Sequence, residues 1–235
     1  MKGRFFAVGV GCGDPELLTL KAVRIIRECD VVALPMKKQD EEIFAYEIAK
    51  KAIPEIDEKE IIKVFMPMIK ASEELDKIHQ KGAEEIEDLL EQGKNIAFLT
   101  IGDVCIYSSA IYIYTKIKDD GFPCEIVSGI PSFCSAAARM GISLCEGEEK
   151  LHIIPSFNID ADETIKNHSG NFVFMKSSRK INHVVGSVKS NSKIKEAFLA
   201  ENVSLETEKI INIKTQDTAD TGYFSIIIAK KSEDI

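Results

Sequence analysis

Three short stretches of this 235-residue chain place glycine beside aspartate or serine, where bare backbone could approach a ligand closely. Gly9, Gly11 and Gly13 alternate in Gly9-Val10-Gly11-Cys12-Gly13-Asp14-Pro15, after an apolar run and before a helical pattern. Ile101-Gly102-Asp103-Val104 follows a second apolar run, and Ser128-Gly129-Ile130-Pro131-Ser132 follows a third. A glycine-rich turn between strand and helix commonly cradles phosphate, because the helix amino terminus offers N–H donors. The details here speak against a dinucleotide. Its fingerprint is GxGxxG with an acidic residue ending the next strand, whereas this chain puts Asp14 where the third glycine belongs. Asp14-Pro15 reads as an N-cap and a first-turn proline, and a carboxylate there would repel a pyrophosphate. The next apolar run ends in Pro35-Met36-Lys37-Lys38, with no acid to hold a ribose.

Loops that act together must be delivered by neighbouring elements. Apolar runs over 4–10, 31–34, 61–64, 95–100 and 124–127 read as strands. They alternate with helical patterns over 15–28, 40–52, 72–91 and 108–119, which implies a mostly parallel sheet with crossover helices. Strand-like segments dominate the second half, at 150–154, 172–175, 195–200, 209–213 and 223–230, with fewer and shorter helices between them. The last two are close enough in sequence to pair as neighbours, giving a mixed sheet. The expected fold class is therefore α/β, with two α/β domains spanning 1–128 and 129–235 and the Ser128–Pro131 turn at their boundary. In open α/β sheets ligands bind beyond the carboxyl ends of the strands. Three small-residue loops at three such ends therefore favour one shared crevice over three independent turns.

Composition narrows the function. With 45% apolar and 29% charged residues the chain is ordinary globular protein. It shows neither a signal segment nor an apolar run of about 18 residues, so a cytoplasmic protein with no membrane association is expected. A net charge of −8 speaks against a nucleic-acid partner. The six cysteines form no CxxC pair and no zinc spacing, so reduced thiols and no metal are expected. His79, His152, His168 and His183 stand far apart without a partner pattern, so no catalytic triad is expected. Carboxylates and backbone carbonyls suit a cationic sulfonium better than they suit phosphate, which makes S-adenosylmethionine a candidate ligand.

The stretches VGVGCGDPELLTLKA, LTIGDVCIYSS, VSGIPSFCSAAARMGISL and GYFSIIIA, in this order, resemble successive signatures of the tetrapyrrole methylase family. The resemblance runs from about residue 5 to residue 230. VFMPMIK (64–70), the Ser-Ser pair at 108–109 and YFS most resemble the branch that methylates position 20 of precorrin-2 or cobalt-factor II. The resemblance implies two α/β domains, a homodimer and S-adenosylmethionine folded into a cleft between the domains. It implies cofactor contacts from Cys12, Ile101, Gly102, Asp103, Ile106, Pro131, Ser132 and Lys176, and from the turn at Asn202-Val203. Cys12 and Val104 stand where the family usually carries proline, and each change removes a fixed φ. Alternatives are methylation at another tetrapyrrole position, a nicotinamide-dependent oxidoreductase and a non-catalytic tetrapyrrole carrier.

An in-line methyl transfer needs alignment more than a nucleophilic side chain. Asp103 is the leading catalytic candidate: it could hold the ribose or the cofactor ammonium, orient pyrrole nitrogens, or only cap the next helix. Tyr107 joins it as an apolar face for the macrocycle, with Phe65, Met66 and Met68, although such a cluster also suits plain core. A substrate bearing eight carboxylates would need local positive charge on this acidic protein. Arg139 and Arg179 lead because arginine grips carboxylates bidentately. Lys37, Lys38, Lys70 and Lys176 follow, with Gly11 as a point of close backbone approach.

Overall fold

The computed structural model describes residues 1–37, 43–67, 73–177, 180–217, 222 and 224–231. The chain divides into two compact units, Met1–Pro131 and Ser132–Ile235.

In the first unit β1 (Phe5–Gly9), β2 (Val31–Met36), β3 (Glu60–Phe65), β4 (Ile96–Thr100) and β5 (Cys124–Val127) form one sheet in the order β3-β2-β4-β1-β5. Every pairing in it is parallel. A parallel sheet is covered on both faces, so its strands read as nearly continuous apolar runs. Phe6, Val8, Val32, Leu34, Ala97 and Leu99 face one core, shared with α1 (Leu20–Glu28) and α2 (Phe44–Ala52). Phe5, Ala7, Val31, Ala33, Ile96 and Phe98 face the other, shared with α3 (Glu73–Glu91) and α4 (Ala110–Asp119). The strict alternation is the two-residue period of a strand. Because β4, β1 and β5 are consecutive neighbours, their carboxyl ends set three loops side by side, roughly 5 Å apart.

The helix expected over 15–28 is interrupted. Asp14 accepts the Glu16 amide at 2.9 Å, but it caps only a short 3₁₀ turn, Pro15–Leu17. The α-helix starts afresh at Leu20, where Thr19 Oγ1 accepts the Ala22 amide at 3.1 Å. Two capping residues five positions apart thus divide one amphipathic pattern into two elements.

The second unit contains α5 (Ser132–Met140), β6 (Leu151–Pro155), α6 (Ala161–Asn167), β7 (Asn171–Met175) and α7 (Ile181–Ser190). It continues with β8 (Ile194–Glu201), β9 (Lys209–Asn212) and β10 (Ser225–Lys231), and its sheet order is β6-β7-β10-β8-β9. β6 and β7 pair in parallel and the rest are antiparallel, a mixed sheet. The expected pairing of the last two strands does not form: β10 lies between β7 and β8, with β9 at the edge. Burial explains the order. Ser225 through Ala229 are all buried and require neighbours on both sides, whereas β9 is partly exposed along its length.

Candidate functional site

The loops after β1, β4 and β5 meet backbone to backbone. Gly11 donates its N–H to the Gly102 carbonyl at 3.2 Å, and Gly102 donates to the Gly11 carbonyl at 2.6 Å. A Cβ on Gly9 would lie 2.6 Å from the Gly102 oxygen, and one on Gly129 would lie 2.1 Å from the same oxygen. Neither position admits a side chain, so glycine at 9 and 129 is a packing requirement. Gly102 differs. Its φ of +70° is left-handed, yet nothing lies within 4 Å of where a Cβ would stand. That leaves a bare backbone cradle beside the junction of the three loops.

Asp103 locks the junction. Its Oδ1 accepts the Cys105 amide at 2.8 Å and its Oδ2 accepts the Gly129 amide at 2.9 Å. With 9% exposure, the carboxylate bridges the loop after β4 to the loop after β5. The geometry thereby gives Asp103 a positioning duty, closer to the capping alternative than to a freely projecting acid. Thr19 Oγ1 donates to the Ser128 carbonyl at 3.4 Å, and Ser108 Oγ lies 2.8 Å from Thr100 Oγ1 while accepting the Ala110 amide at 3.2 Å. The Ser108-Ser109 pair noted in sequence therefore contributes through Ser108, which joins the end of β4 to the start of α4.

Among the described residues, four non-glycine side chains sit on left-handed backbone: Tyr107 (φ 52°), Lys176 (φ 54°), Asn202 (φ 51°) and Ser204 (φ 64°). Such conformations cost of order 1–3 kcal/mol each and gather at ligand sites. Tyr107 and Lys176 are residues singled out from sequence, and Asn202 and Ser204 flank a third, Val203. No sequence signal marks this strain, because nothing in Tyr, Lys or Ser types requires positive φ.

The remaining candidates fall as follows. Gly11 is left-handed, at φ +75°. Cys12 is buried in the first loop, and Ile101, Ile106, Pro131 and Ser132 are partly exposed around the second and third. Tyr107 is 43% exposed and Phe65 47%, so both present aromatic surface. Lys37 is exposed directly after β2. Lys176 follows β7 and is exposed overall, yet partial desolvation of its ammonium lowers its pKa below the usual lysine value. Val203 is buried. Met68, Arg179, Lys38 and Lys70 lie outside the described residues.

One expectation is corrected, and a second residue has a partner that sequence did not show. Met66 is 4% exposed and belongs to the core shared by β2, β3 and α3, so it offers no face to a substrate. Arg139 pairs with Glu208: its Nη2 lies 2.8 Å from Oε1, and its Nε lies 3.0 Å from Oε1 and 3.2 Å from Oε2. Its side chain is 59% exposed, so this pair forms at the surface of the second unit. The histidines have partners that sequence distance concealed. His79 stacks on Tyr112 at 5.0 Å, and His152 stacks on Phe172 at 5.2 Å with the edge of His168 at 5.1 Å. His183 lies with Asp160 and Asp162 in an exposed group whose ligand-capable atoms fall within 4.8 Å of one another. Asp160 also caps α6, accepting the Glu163 amide at 3.2 Å.

An S-adenosylmethionine-like ligand fits the residues at the loop junction. Open space over the left-handed Gly102 is room that a side chain would fill, and the loops present backbone beside partly exposed Ile101 and Ile106. Asp14 lies at the start of the 3₁₀ turn, where a phosphate would need to bind, and it is spent on capping.

Known proteins are similar to this chain in sequence and in fold. The family model described as tetrapyrrole (corrin/porphyrin) methylases matches residues 4–219. A probable cobalt-precorrin-2 C(20)-methyltransferase of Methanocaldococcus jannaschii is 39% identical over 152 residues, covering 65% of this chain and 64% of that protein. The cobalamin biosynthesis protein CobIJ of Mycobacterium tuberculosis is 27% identical over 96% of this chain, which spans only 45% of that longer relative. The cobalt-precorrin-2 C(20)-methyltransferase of Salmonella typhimurium is 25% identical over 98% of each chain. Among solved structures, a cobalt-precorrin-4 methyltransferase shares the fold with a TM-score of 0.73 at 17% identity, covering 97% of this chain and 94% of that one. A uroporphyrin-III C-methyltransferase of Thermus thermophilus, complexed with S-adenosylhomocysteine, gives 0.66 at 17% identity, covering 97% and 92%.

Proposed function

This chain belongs to the tetrapyrrole (corrin/porphyrin) methylase family, and from that premise we propose that it is an S-adenosylmethionine-dependent C-methyltransferase of cobalamin biosynthesis, acting at position 20 of precorrin-2 or cobalt-factor II. The reaction assignment follows the relatives that carry that activity in their names, one of them matched along 98% of both chains. The observation that supports a ligand site in this chain is the coincidence of backbone strain with the candidate residues: Tyr107 and Lys176 are left-handed themselves, and Val203 lies between two residues that are.

The bound cofactor supplies an electrophilic methyl group on a cationic sulfonium. The protein's part is alignment. Gly102 provides the cradle, Ile101 and Ile106 provide apolar walls, and Cys12, Pro131 and Ser132 complete the cofactor contacts in the neighbouring loops. In the second unit Lys176 and the Val203 turn are the proposed contacts. Asp103 holds the second loop against the third, so the cradle keeps its shape without reorganising when a ligand arrives. Fixed placement of two reactants can supply roughly 7–11 kcal/mol of a barrier, which removes the need for a nucleophilic side chain. Tyr107 offers its ring to the macrocycle, while Gly11 and Lys37 stand nearest the substrate carboxylates in this reading. We further propose that the protein is cytoplasmic, which fractionation of the cells that make it would test, and a homodimer, which sedimentation of the purified protein would test.

The test is anaerobic incubation with S-adenosylmethionine and precorrin-2, with and without cobalt, read by mass spectrometry and then NMR. A gain of one methyl group, located at position 20, on one of the two substrates is the expected result. No gain with cofactor binding intact overturns the assignment in favour of another tetrapyrrole or a carrier.

A further inference from the structure

The turn after β8 is unusual in that two non-glycine residues, Asn202 at φ 51° and Ser204 at φ 64°, bracket a buried valine. Asn tolerates left-handed backbone because its short amide bonds locally, and Asn202 Nδ2 does donate to Thr207 Oγ1 at 3.1 Å. Serine has less of that tolerance, so something else must hold Ser204 in place. Its amide donates to Glu208 Oε2 at 2.8 Å, and its hydroxyl lies 2.9 Å from the Ser135 hydroxyl. Glu208 in turn is gripped by the Arg139 fork. Ser135 and Arg139 are four residues apart on α5, so they share one face of that helix. One helix face thus reaches the turn at two points, one through a hydroxyl pair and one through an ion pair. The Arg139 guanidinium keeps the Glu208 carboxyl below its ordinary pKa, so the ion pair is present at neutral pH.

We propose that Arg139 and Glu208 are positioning residues: their ion pair, with the Ser135–Ser204 contact, holds the Asn202–Ser204 turn in the left-handed shape that presents the Val203 backbone to the cofactor. This rests on the reading of Val203 as a cofactor contact. Arg139, which sequence reasoning assigned to the substrate, works instead through Glu208 and Ser204. A bidentate Arg–carboxylate pair has a fixed geometry that a lysine cannot reproduce, so the clamp is specific to the guanidinium.

The experiment combines Glu208→Ala, Arg139→Lys and Ser204→Gly, alone and paired, in the full-length protein. Glycine adopts positive φ without strain, so Ser204→Gly makes the clamp redundant. Two quantities are read: S-adenosylhomocysteine affinity by calorimetric titration, and deuterium exchange of the segment 202–208. Glu208→Ala is expected to speed exchange in that segment and to weaken binding about tenfold. Arg139→Lys should give a smaller change in the same direction. On the Ser204→Gly background, Glu208→Ala should cost about threefold or less relative to Ser204→Gly alone. An equal loss on both backgrounds, or unchanged exchange in Glu208→Ala, overturns the clamp. Faster exchange with unchanged affinity upholds the clamp and overturns Val203 as a cofactor contact. If Glu208→Ala does not fold, Glu208→Gln keeps the amide acceptor while losing the charge, and the same two readings apply to it.

Discussion

Replacing Asp103 with alanine isolates the junction of the three loops. Two backbone amides lose a charged acceptor, at 2.8 Å for Cys105 and 2.9 Å for Gly129. The costs differ because the surroundings differ. Cys105 is exposed, so water can replace the lost partner and the net loss is about 1 kcal/mol. Gly129 is pressed against the backbone of Gly9 and Gly102, where even a Cβ would come within 2.1 Å of an oxygen. Its partly exposed amide is harder for water to reach than that of Cys105, and the loss there is about 2–3 kcal/mol. The sum of about 3–4 kcal/mol corresponds to a fall of about 10 °C in thermal midpoint for a chain of this size. Asp103→Asn keeps one acceptor and turns an NH₂ donor toward the other amide, so it should lie between wild type and Asp103→Ala. Calorimetric melting gives the first reading, and S-adenosylhomocysteine titration well below the melt gives the second, where affinity should fall at least about tenfold. A midpoint for Asp103→Ala within about 2 °C of wild type would refute the bridging account. Lost stability with unchanged affinity would detach the junction from the cofactor site.

Glycine substitutions should separate packing from ligand approach. Gly129→Ala drives a Cβ into the Gly102 carbonyl and should cost about 3 kcal/mol or more in denaturant unfolding. Gly102→Ala meets no protein atom but strains a φ of +70°, so it should cost about 1–2 kcal/mol while blocking cofactor titration disproportionately. Glu87 is half-buried beside Asp120, and desolvation, with that carboxylate and Glu84 adding to it, raises its pKa to about 7 against a partial offset from Lys2. A folded-state pKa above the unfolded value favours folding below about pH 4.5 and loses that contribution as pH rises through about 7. Glu87→Gln should therefore flatten the pH profile of stability across that window and be the more stable protein at pH 8, which urea midpoints across the range would check. Alkylation of the native protein should modify Cys145 well before the buried Cys12 and Cys29, with the order read by peptide mass spectrometry.

How much of this was legible in sequence depended on whether the cause was local. The first unit could be read because a parallel sheet buried on both faces writes its strands as apolar runs, such as Phe5–Gly9 and Ile96–Thr100, between amphipathic helices. The pairing of the second sheet could not, since β10 reaches β8 and β7 across the chain while its sequence neighbour β9 stays at the edge. Glycine and aspartate flagged the three loops, but only the sheet order β4-β1-β5 shows why loops some 90 and 30 residues apart meet. At Arg139 a sequence shows a cation without its counter-ion, because Glu208 is 69 residues away. Hydrophobicity misled at Met66 for a related reason: the same thioether serves a ligand face or a core, and only burial separates them.

The strained residues carry this distinction furthest. Gly102 could be suspected of positive φ from its type alone, whereas Tyr107, Lys176 and Ser204 adopt it against their type. A conformation that local sequence disfavours persists only where surrounding contacts over-determine it. For Ser204 those contacts are visible in the Glu208 carboxylate and the Ser135 hydroxyl. If strain marks ligand contact in this protein, removing it at Ser204 by glycine should relax the turn without abolishing binding. Removing its support at Glu208 should weaken binding far more while serine is present than on the glycine background. The strain is thus a consequence of how the site is held together, and the dependence of one substitution on the other is its measurable signature.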